Sequence, residues 1–350
     1  MEEKFNIISK FKLLAPFLNS ELSGQKEVLE SLANGFMRGE TNITNKARPK
    51  GNFLLLGPTG VGKTESMLLI AEFCNLPLLR IDMSEFGQLA GDDVLKKLIG
   101  APGVDTGMLG KFLENHQSGI ILYDEFEKAH SDLFTILLQQ LDSALITLAD
   151  YKTRNLSNFY IVCTSNVGAK EFQHSANLSA KRMQEHSLDI LRERFSPEFI
   201  GRFGTPGKNI LTFRSLSGGD LRNICRKFLR KEINRLKPAG LDIQKTTQEF
   251  LDLCVSRGGN TKSGARDMRH TVEEMIQEAY LHTLSEGRIP SGILTLDENG
   301  SSRIKGSQKQ HFQKPALSEI LIDYKATDPA RIFLQENYLM IGILLFSTFL

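Results

Sequence analysis

Hydrophobic positions change their period along the chain, and the changes divide it. Residues 52–56, 120–123 and 159–165 are nearly continuous apolar runs, and 78–82 is a shorter one. Strands buried on both faces read this way, because neither side of the pleat meets water. Between them, residues 65–74, 92–99, 111–116 and 131–141 carry helical periodicity. In the last, Leu133, Phe134, Leu137, Leu138 and Leu141 fall on one side behind a Ser131 cap. Strands alternating with helices predict an α/β fold, a mostly parallel sheet covered on both faces. Residues 100–110 are glycine-rich and read as irregular.

After about residue 217 the period becomes 3.6, with Leu221, Ile224, Cys225, Phe228, Leu229 and Ile233 on one stripe. Residues 250–255 and 268–284 are again helical, and 293–296 reads as a single strand. A second, smaller, mostly helical domain over 213–300 follows from this. Ahead of the 21–212 domain, residues 1–20 read as one short amphipathic helix (Phe5, Ile7, Ile8, Phe11, Leu14, Phe17, Leu18). A further helix opens at 21–25 and runs to about residue 38, and 41–50 is a loop. The tail, 301–350, starts polar and linker-like to about 330. Its last thirteen residues, 338–350, are uncharged and almost wholly apolar. They are shorter than the roughly 20 residues of a membrane-spanning helix. A buried terminal element, a tail anchor or an oligomer contact each fits them.

Chemistry enters at Gly57-Pro58-Thr59-Gly60-Val61-Gly62-Lys63-Thr64. This is the G-x-x-x-x-G-K-T pattern of the Walker A loop, between an expected strand and an expected helix, the context it requires. Its glycines turn backbone N–H groups inward to cradle phosphates, and the helix N-terminus adds partial positive charge. Lys63 is placed to reach the β- and γ-phosphates, and the Thr64 hydroxyl to ligate Mg²⁺. About 60 residues on, the apolar run at 120–123 ends in Asp124-Glu125, the Walker B pattern. Asp124 is expected to hold Mg²⁺ and Glu125 to polarise an attacking water. Asn166, at the tip of the strand 159–165, is placed to touch the γ-phosphate or that water. ATP and Mg²⁺ are therefore the expected ligands.

Composition narrows the partners. A net charge of +2 gives no polyelectrolyte signal, so nucleic acid is not favoured. The four cysteines (Cys74, Cys163, Cys225, Cys254) form no C-x-x-C pair, and read as small buried residues in a reducing compartment rather than as disulfides or a zinc site. Met1-Glu2-Glu3-Lys4 lacks a basic region followed by a long apolar stretch, so no signal peptide is expected and the cytoplasm is the expected location.

Taken together, the motifs resemble the Clp class of AAA+ ATPases, particularly the second ATPase ring of the ClpA and ClpB unfoldases. Besides the two Walker patterns, the resemblance rests on Arg80-Ile81-Asp82-Met83-Ser84-Glu85-Phe86 and Leu98-Ile99-Gly100-Ala101-Pro102. It continues through Asp124-Glu125-Phe126-Glu127-Lys128-Ala129-His130, Thr164-Ser165-Asn166, Pro197-Glu198-Phe199-Ile200-Gly201-Arg202 and Gly264-Ala265-Arg266, in the family's order. It implies that Leu22 and Ser23 sit at the adenine, and that Asn166 is the first sensor. Arg202 would be an arginine finger reaching a neighbouring subunit, and Arg266 the second sensor, brought in by the helical domain. It also implies a hexameric ring acting on a protein substrate.

The departures carry weight too. Where the family's axial loop has an aromatic residue, this chain reads Gly103-Val104-Asp105-Thr106-Gly107, about five residues shorter. Tyr151, in a second expected pore-facing loop, is a substitute or an ordinary loop residue. Arg202 keeps its place without the family's neighbours, being followed by Phe203-Gly204. No protease-docking tripeptide lies between Asn166 and Phe195, so a peptidase partner is unsupported. The expectation is an ATP-driven protein-remodelling motor dedicated to one partner or assembly, with the apolar tail as a possible dock. A nucleic-acid-acting AAA+ ATPase and a nucleotide-gated scaffold with little turnover are the alternatives.

Overall fold

The computed structural model describes residues 2–306 apart from 42, 44, 46, 87–90, 169–179, 205 and 260–263. The apolar tail 338–350 lies outside the described residues. Helices α1 (Glu2–Phe11), α2 (Leu14–Glu21) and α3 (Lys26–Glu40) lead into β1 (Gly51–Leu56), α4 (Lys63–Cys74) and β2 (Leu78–Asp82). Then come α5 (Gly91–Ile99), α6 (Gly107–Asn115), β3 (Gly119–Asp124), α7 (Ser131–Ser143), β4 (Leu145–Thr147), β5 (Thr153–Asn155) and β6 (Phe159–Ser165). Helices α8 (Ala180–Arg194) and α9 (Pro197–Phe203) precede β7 (Ile210–Thr212).

Five of these strands form one parallel sheet in the order β2-β3-β6-β1-β7. Alternate residues of each strand feed opposite cores. Phe53 and Leu55 of β1 pack with α2–α4, while Leu54 and Leu56 pack with the α5–α9 side. Both layers are fully buried, which explains why these strands read as continuous apolar runs. The order places β1, β3 and β6 side by side at the centre, so the residues that follow their C-terminal ends converge at one edge of the sheet.

The remaining chain builds a lid from α10 (Gly218–Leu236), β8 (Asp242–Thr246), α11 (Gln248–Gly258), α12 (Met268–Ser285), β9 (Ser291–Leu296) and β10 (Ser302–Lys305). Ser217 and Asp220 cap α10 reciprocally. The expected single strand is in fact the centre of a three-stranded sheet, β10-β9-β8. Residues 302–305, expected in a linker, are its antiparallel edge.

Two further expectations change. Residues 1–20 are two helices, broken at Lys12–Leu13. Pro16 explains the break: it has no N–H for the Lys12 carbonyl, and its ring clashes with a carbonyl four residues back. Residues 100–106 are a compact turn rather than irregular chain. Ala101 and Asp105 form an antiparallel bridge around Pro102-Gly103, with Gly103 at φ +73°. Helix α6 starts at Gly107, earlier than expected.

Candidate active site

The phosphate loop is held open by its own backbone geometry. Gly57, Gly60 and Gly62 all have positive φ, at 138°, 72° and 104°. At Gly57 an added Cβ would lie 2.4 Å from the Phe213 carbonyl, so only glycine fits. The loop delivers the chain into α4, whose N-terminal amides face a cavity of about 410 Å³. That cavity lies between the sheet edge and the lid, and Leu22, Ser23, Lys63, Asp124, Asn166 and Arg266 are among the residues lining it.

Lys63 is buried and folded onto the loop, donating to the carbonyls of Gly57 and Pro58 at 2.7 Å each and to Asn166 Oδ1 at 3.0 Å. Burial pushes its pKa down to about 8, against the opposing pull of Glu127, Asp124 and Glu125. Asp124 is also buried. It accepts hydrogen bonds from Thr64 Oγ1 (3.0 and 3.1 Å to its two oxygens), from Thr164 Oγ1 and from Arg80 Nε at 2.8 Å. A hydroxyl and a carboxylate converging beside a phosphate loop are the hard oxygen ligands that Mg²⁺ prefers, so the residues fit that ion.

Glu125 takes the left-handed region (φ 56°), and its N–H donates to Thr164 Oγ1 at 3.0 Å. This turn lifts its carboxylate off the strand, where Asn166 Nδ2 lies 3.4 Å from one oxygen and Lys128 is paired with the other. That pairing raises the Lys128 pKa. Asn166 thus touches both Lys63 and Glu125, and its own N–H donates to Glu127 Oε1 at 3.1 Å.

The lid closes the cavity by direct backbone contact. The Ala265 N–H donates to the Gly60 carbonyl at 3.0 Å, which sets Arg266 in the cavity wall. On the other side Gln25, nearly fully buried, exchanges two hydrogen bonds with the Arg214 backbone (2.9 and 3.1 Å). These tie the segment carrying Leu22 and Ser23 to the connection into the lid. Glu21 is paired with Lys227 and, at 3.0 Å, with Lys231, both on α10.

Comparison with known proteins agrees with this architecture. Residues 48–205 match the family described as AAA domain (Cdc48 subfamily), and residues 216–295 match the C-terminal, D2-small domain of ClpB protein. The chain belongs to the Clp-class AAA+ family. A ClpB chaperone from Prochlorococcus marinus is 34% identical over 325 residues, spanning 90% of this chain and 35% of that protein. A ClpC ATP-binding subunit from Staphylococcus aureus is 31% identical over 85% of this chain and 38% of its own. A solved closed state of Hsp104 with ATPγS and FITC casein superposes with a TM-score of 0.72 at 26% identity, covering 85% of this chain and 52% of that one. This Clp-class chain spans about a third of the length of the curated relatives it matches.

Of the nucleotide-site residues singled out from the sequence of this Clp-class chain, Gly57 and Pro58 hold Lys63 from behind the cavity wall, and Arg202 stands apart from the cavity. It lies on α9, paired with Asp142 and, at 3.0 Å, with Glu198. Asn52 Nδ2 holds its backbone carbonyl at 3.3 Å. The helix is fixed by packed rings: Phe199 stacks on Phe126 at 5.2 Å, lies tilted against Phe195 at 5.3 Å and meets Phe203 edge-on at 5.2 Å. Sequence reasoning missed Arg80, Glu127 and Thr164 as site residues. Arg80 and Thr164 reach Asp124 from β2 and β6, and Glu127, in the turn after β3, reaches the Asn166 N–H at the end of β6; no spacing in the chain reports which strands are neighbours.

Among the described residues no helix is long and apolar enough to cross a membrane.

Proposed function

We propose that this chain is the ATP-hydrolysing module of a protein-remodelling motor. It works in the cytoplasm as a hexameric ring and is dedicated to one protein partner or assembly. The observation that carries the reading is the convergence of Lys63, Thr64, Asp124, Glu125, Asn166 and Arg266 on one cavity whose wall is shared by sheet and lid. A group bound there touches both bodies, so binding and release set the angle between them.

ATP would lay its phosphates on the loop amides of residues 59–64, with its base against Leu22 and Ser23. Lys63 would leave the Gly57 and Pro58 carbonyls for the phosphates. Thr64 and Asp124 would hold Mg²⁺, which supplies charge neutralisation on the phosphate oxygens when bound. Glu125 takes the proton of the attacking water, and Asn166 fixes the position of both Glu125 and that water. Arg266 from the lid, and Arg202 supplied to a neighbouring subunit, stabilise charge on the transferring phosphoryl group. A residue supplied in trans makes turnover depend on assembly.

Dedication to one partner is supported by the surface of two adjacent turns. The Ala101–Asp105 turn exposes Val104, and the tip of the β4–β5 hairpin exposes Tyr151; both are 81% exposed. The Ala149 N–H donates to the Ile99 carbonyl at 3.0 Å, which ties hairpin to turn. The pair presents one aromatic and one β-branched side chain on short, stiff supports. That is a small contact for gripping arbitrary unfolded chains. The test is a trap. Glu125→Gln, purified from its own cells with ATP, should retain one partner or the members of one apparatus, and Tyr151→Ala in that background should release them. Retention of many unrelated proteins would refute dedication. Nucleic acid in place of protein would refute the motor's substrate class.

A further inference from the structure

We infer that Arg80 is a resident counter-ion for Asp124, occupying that carboxylate until a divalent cation takes it and then passing to Asp82. The inference rests on the reading of Asp124 as a magnesium ligand. It begins from a cost: a buried carboxylate without a cation is strongly disfavoured. Asp124 is 3% exposed, and Lys63, the nearest alternative, is committed to the carbonyls of Gly57 and Pro58 and to Asn166. Arg80 supplies the charge. Its Nε lies 2.8 Å and its second terminal nitrogen 2.6 Å from Asp124 Oδ2. A hard divalent ion needs that same carboxylate, so guanidinium and Mg²⁺ compete for one ligand.

Arg80 has somewhere to go. Its side chain is 48% exposed and lines the cavity. In the parallel β2–β3 register Asp82 lies beside Asp124, and Asp82 Oδ2 is 3.9 Å from the same guanidinium nitrogen. The other Asp82 oxygen is engaged by the Ser84 N–H (3.0 Å) and hydroxyl (2.6 Å). These bonds and Arg80 itself keep the carboxyl pKa low despite partial burial, so Asp82 is a charged acceptor at neutral pH. A short swing between two fixed carboxylates exchanges the partner without stranding the arginine.

The test uses the full chain, a fluorescent ADP analogue and Mg²⁺ titrated from a chelated start. Arg80→Gln should lower the Mg²⁺ concentration for half-maximal nucleotide binding by roughly three- to tenfold, the share of a charge-assisted pair that Asp82 does not return. Asp82→Asn should raise it, because Arg80 then stays on Asp124. Mg²⁺ alone should raise the melting temperature of Arg80→Gln more than that of the unaltered protein. Where Arg80→Gln fails to fold, Arg80→Lys keeps a charge without the fork and should still lower the half-saturation. An unchanged or raised value in the folded Arg80 variant overturns the inference, and an unchanged value in Asp82→Asn overturns the second position. Asp124→Asn separates the two readings. Loss of the Mg²⁺ dependence leaves only the Arg80 inference at stake. Its persistence means that Asp124 is no magnesium ligand.

Discussion

Gly264 is where the lid meets the phosphate loop, and Gly264→Ala tests whether that contact governs nucleotide binding. Gly264 has φ +63°, and an added Cβ would lie 2.6 Å from the Gly60 carbonyl oxygen and 2.7 Å from that of Thr59. Both neighbours are backbone, so no rotamer change relieves the overlap. Alanine in the left-handed region costs about 1–2 kcal/mol. Relieving the overlap must lengthen the adjacent Ala265 N–H to Gly60 carbonyl bond, now 3.0 Å, which forfeits about 1 kcal/mol more. Together these disfavour the closed lid by about 2–3 kcal/mol, or roughly 30- to 150-fold. Arg266, two residues on, leaves the cavity wall with it. Nucleotide affinity measured by fluorescence titration should fall by about that factor. The melting temperature of the nucleotide-free protein should fall by only a few degrees, since neither core is touched. Affinity within twofold of the unaltered protein would show that the lid contact is incidental, and the coupling of nucleotide to domain angle would lose its structural basis.

Other outcomes follow from single contacts. Arg202→Ala should lower ATP turnover of the assembled protein by roughly 10³-fold or more while leaving each subunit's nucleotide affinity unchanged, read by parallel turnover and binding assays. Tyr160→Phe removes a buried hydroxyl that lies 3.1 Å from the Phe36 carbonyl and 3.0 Å from Glu40, and should cost about 1–2 kcal/mol in denaturant unfolding. Lys63 must be charged to hold phosphate, so nucleotide affinity of the folded protein should fall as pH rises above about 8, and Lys63→Met should abolish that slope. The same burial destabilises the nucleotide-free fold fully below pH 8. That cost is relieved between about 8 and the ordinary value of 10.5, because the folded state gives up its proton first. Unfolding free energy relative to Lys63→Met should therefore rise across that window.

The parallel sheet was legible because burial on both faces writes β1, β3 and β6 as unbroken apolar runs. The lid sheet was not. Strand β8 offers Ile243 as its single aliphatic side chain and β10 offers Ile304, and such short polar edge strands carry no period to detect. Hairpin β4–β5 was equally silent: its strands have three residues each. At the site, the loop and the two carboxylates were readable because their chemistry demands fixed spacing along one stretch of chain. Arg80 on Asp124, Thr164 on Asp124 and Glu127 on Asn166 were not, because each pairing crosses from one strand end to another. The Pro16 break could have been found from the sequence by asking which carbonyl the proline leaves without a donor.

The central claim is that this cavity hydrolyses ATP through Glu125, and the most direct measurement is turnover and nucleotide binding of Glu125→Gln beside the unaltered protein. Glutamine keeps the shape and the contact with Asn166 but cannot take the proton of water. Both proteins should bind ATP equally, and the variant should turn over at least about 100-fold more slowly. Equal turnover in the two would contradict the claim, and so would failure of the unaltered protein to bind ATP.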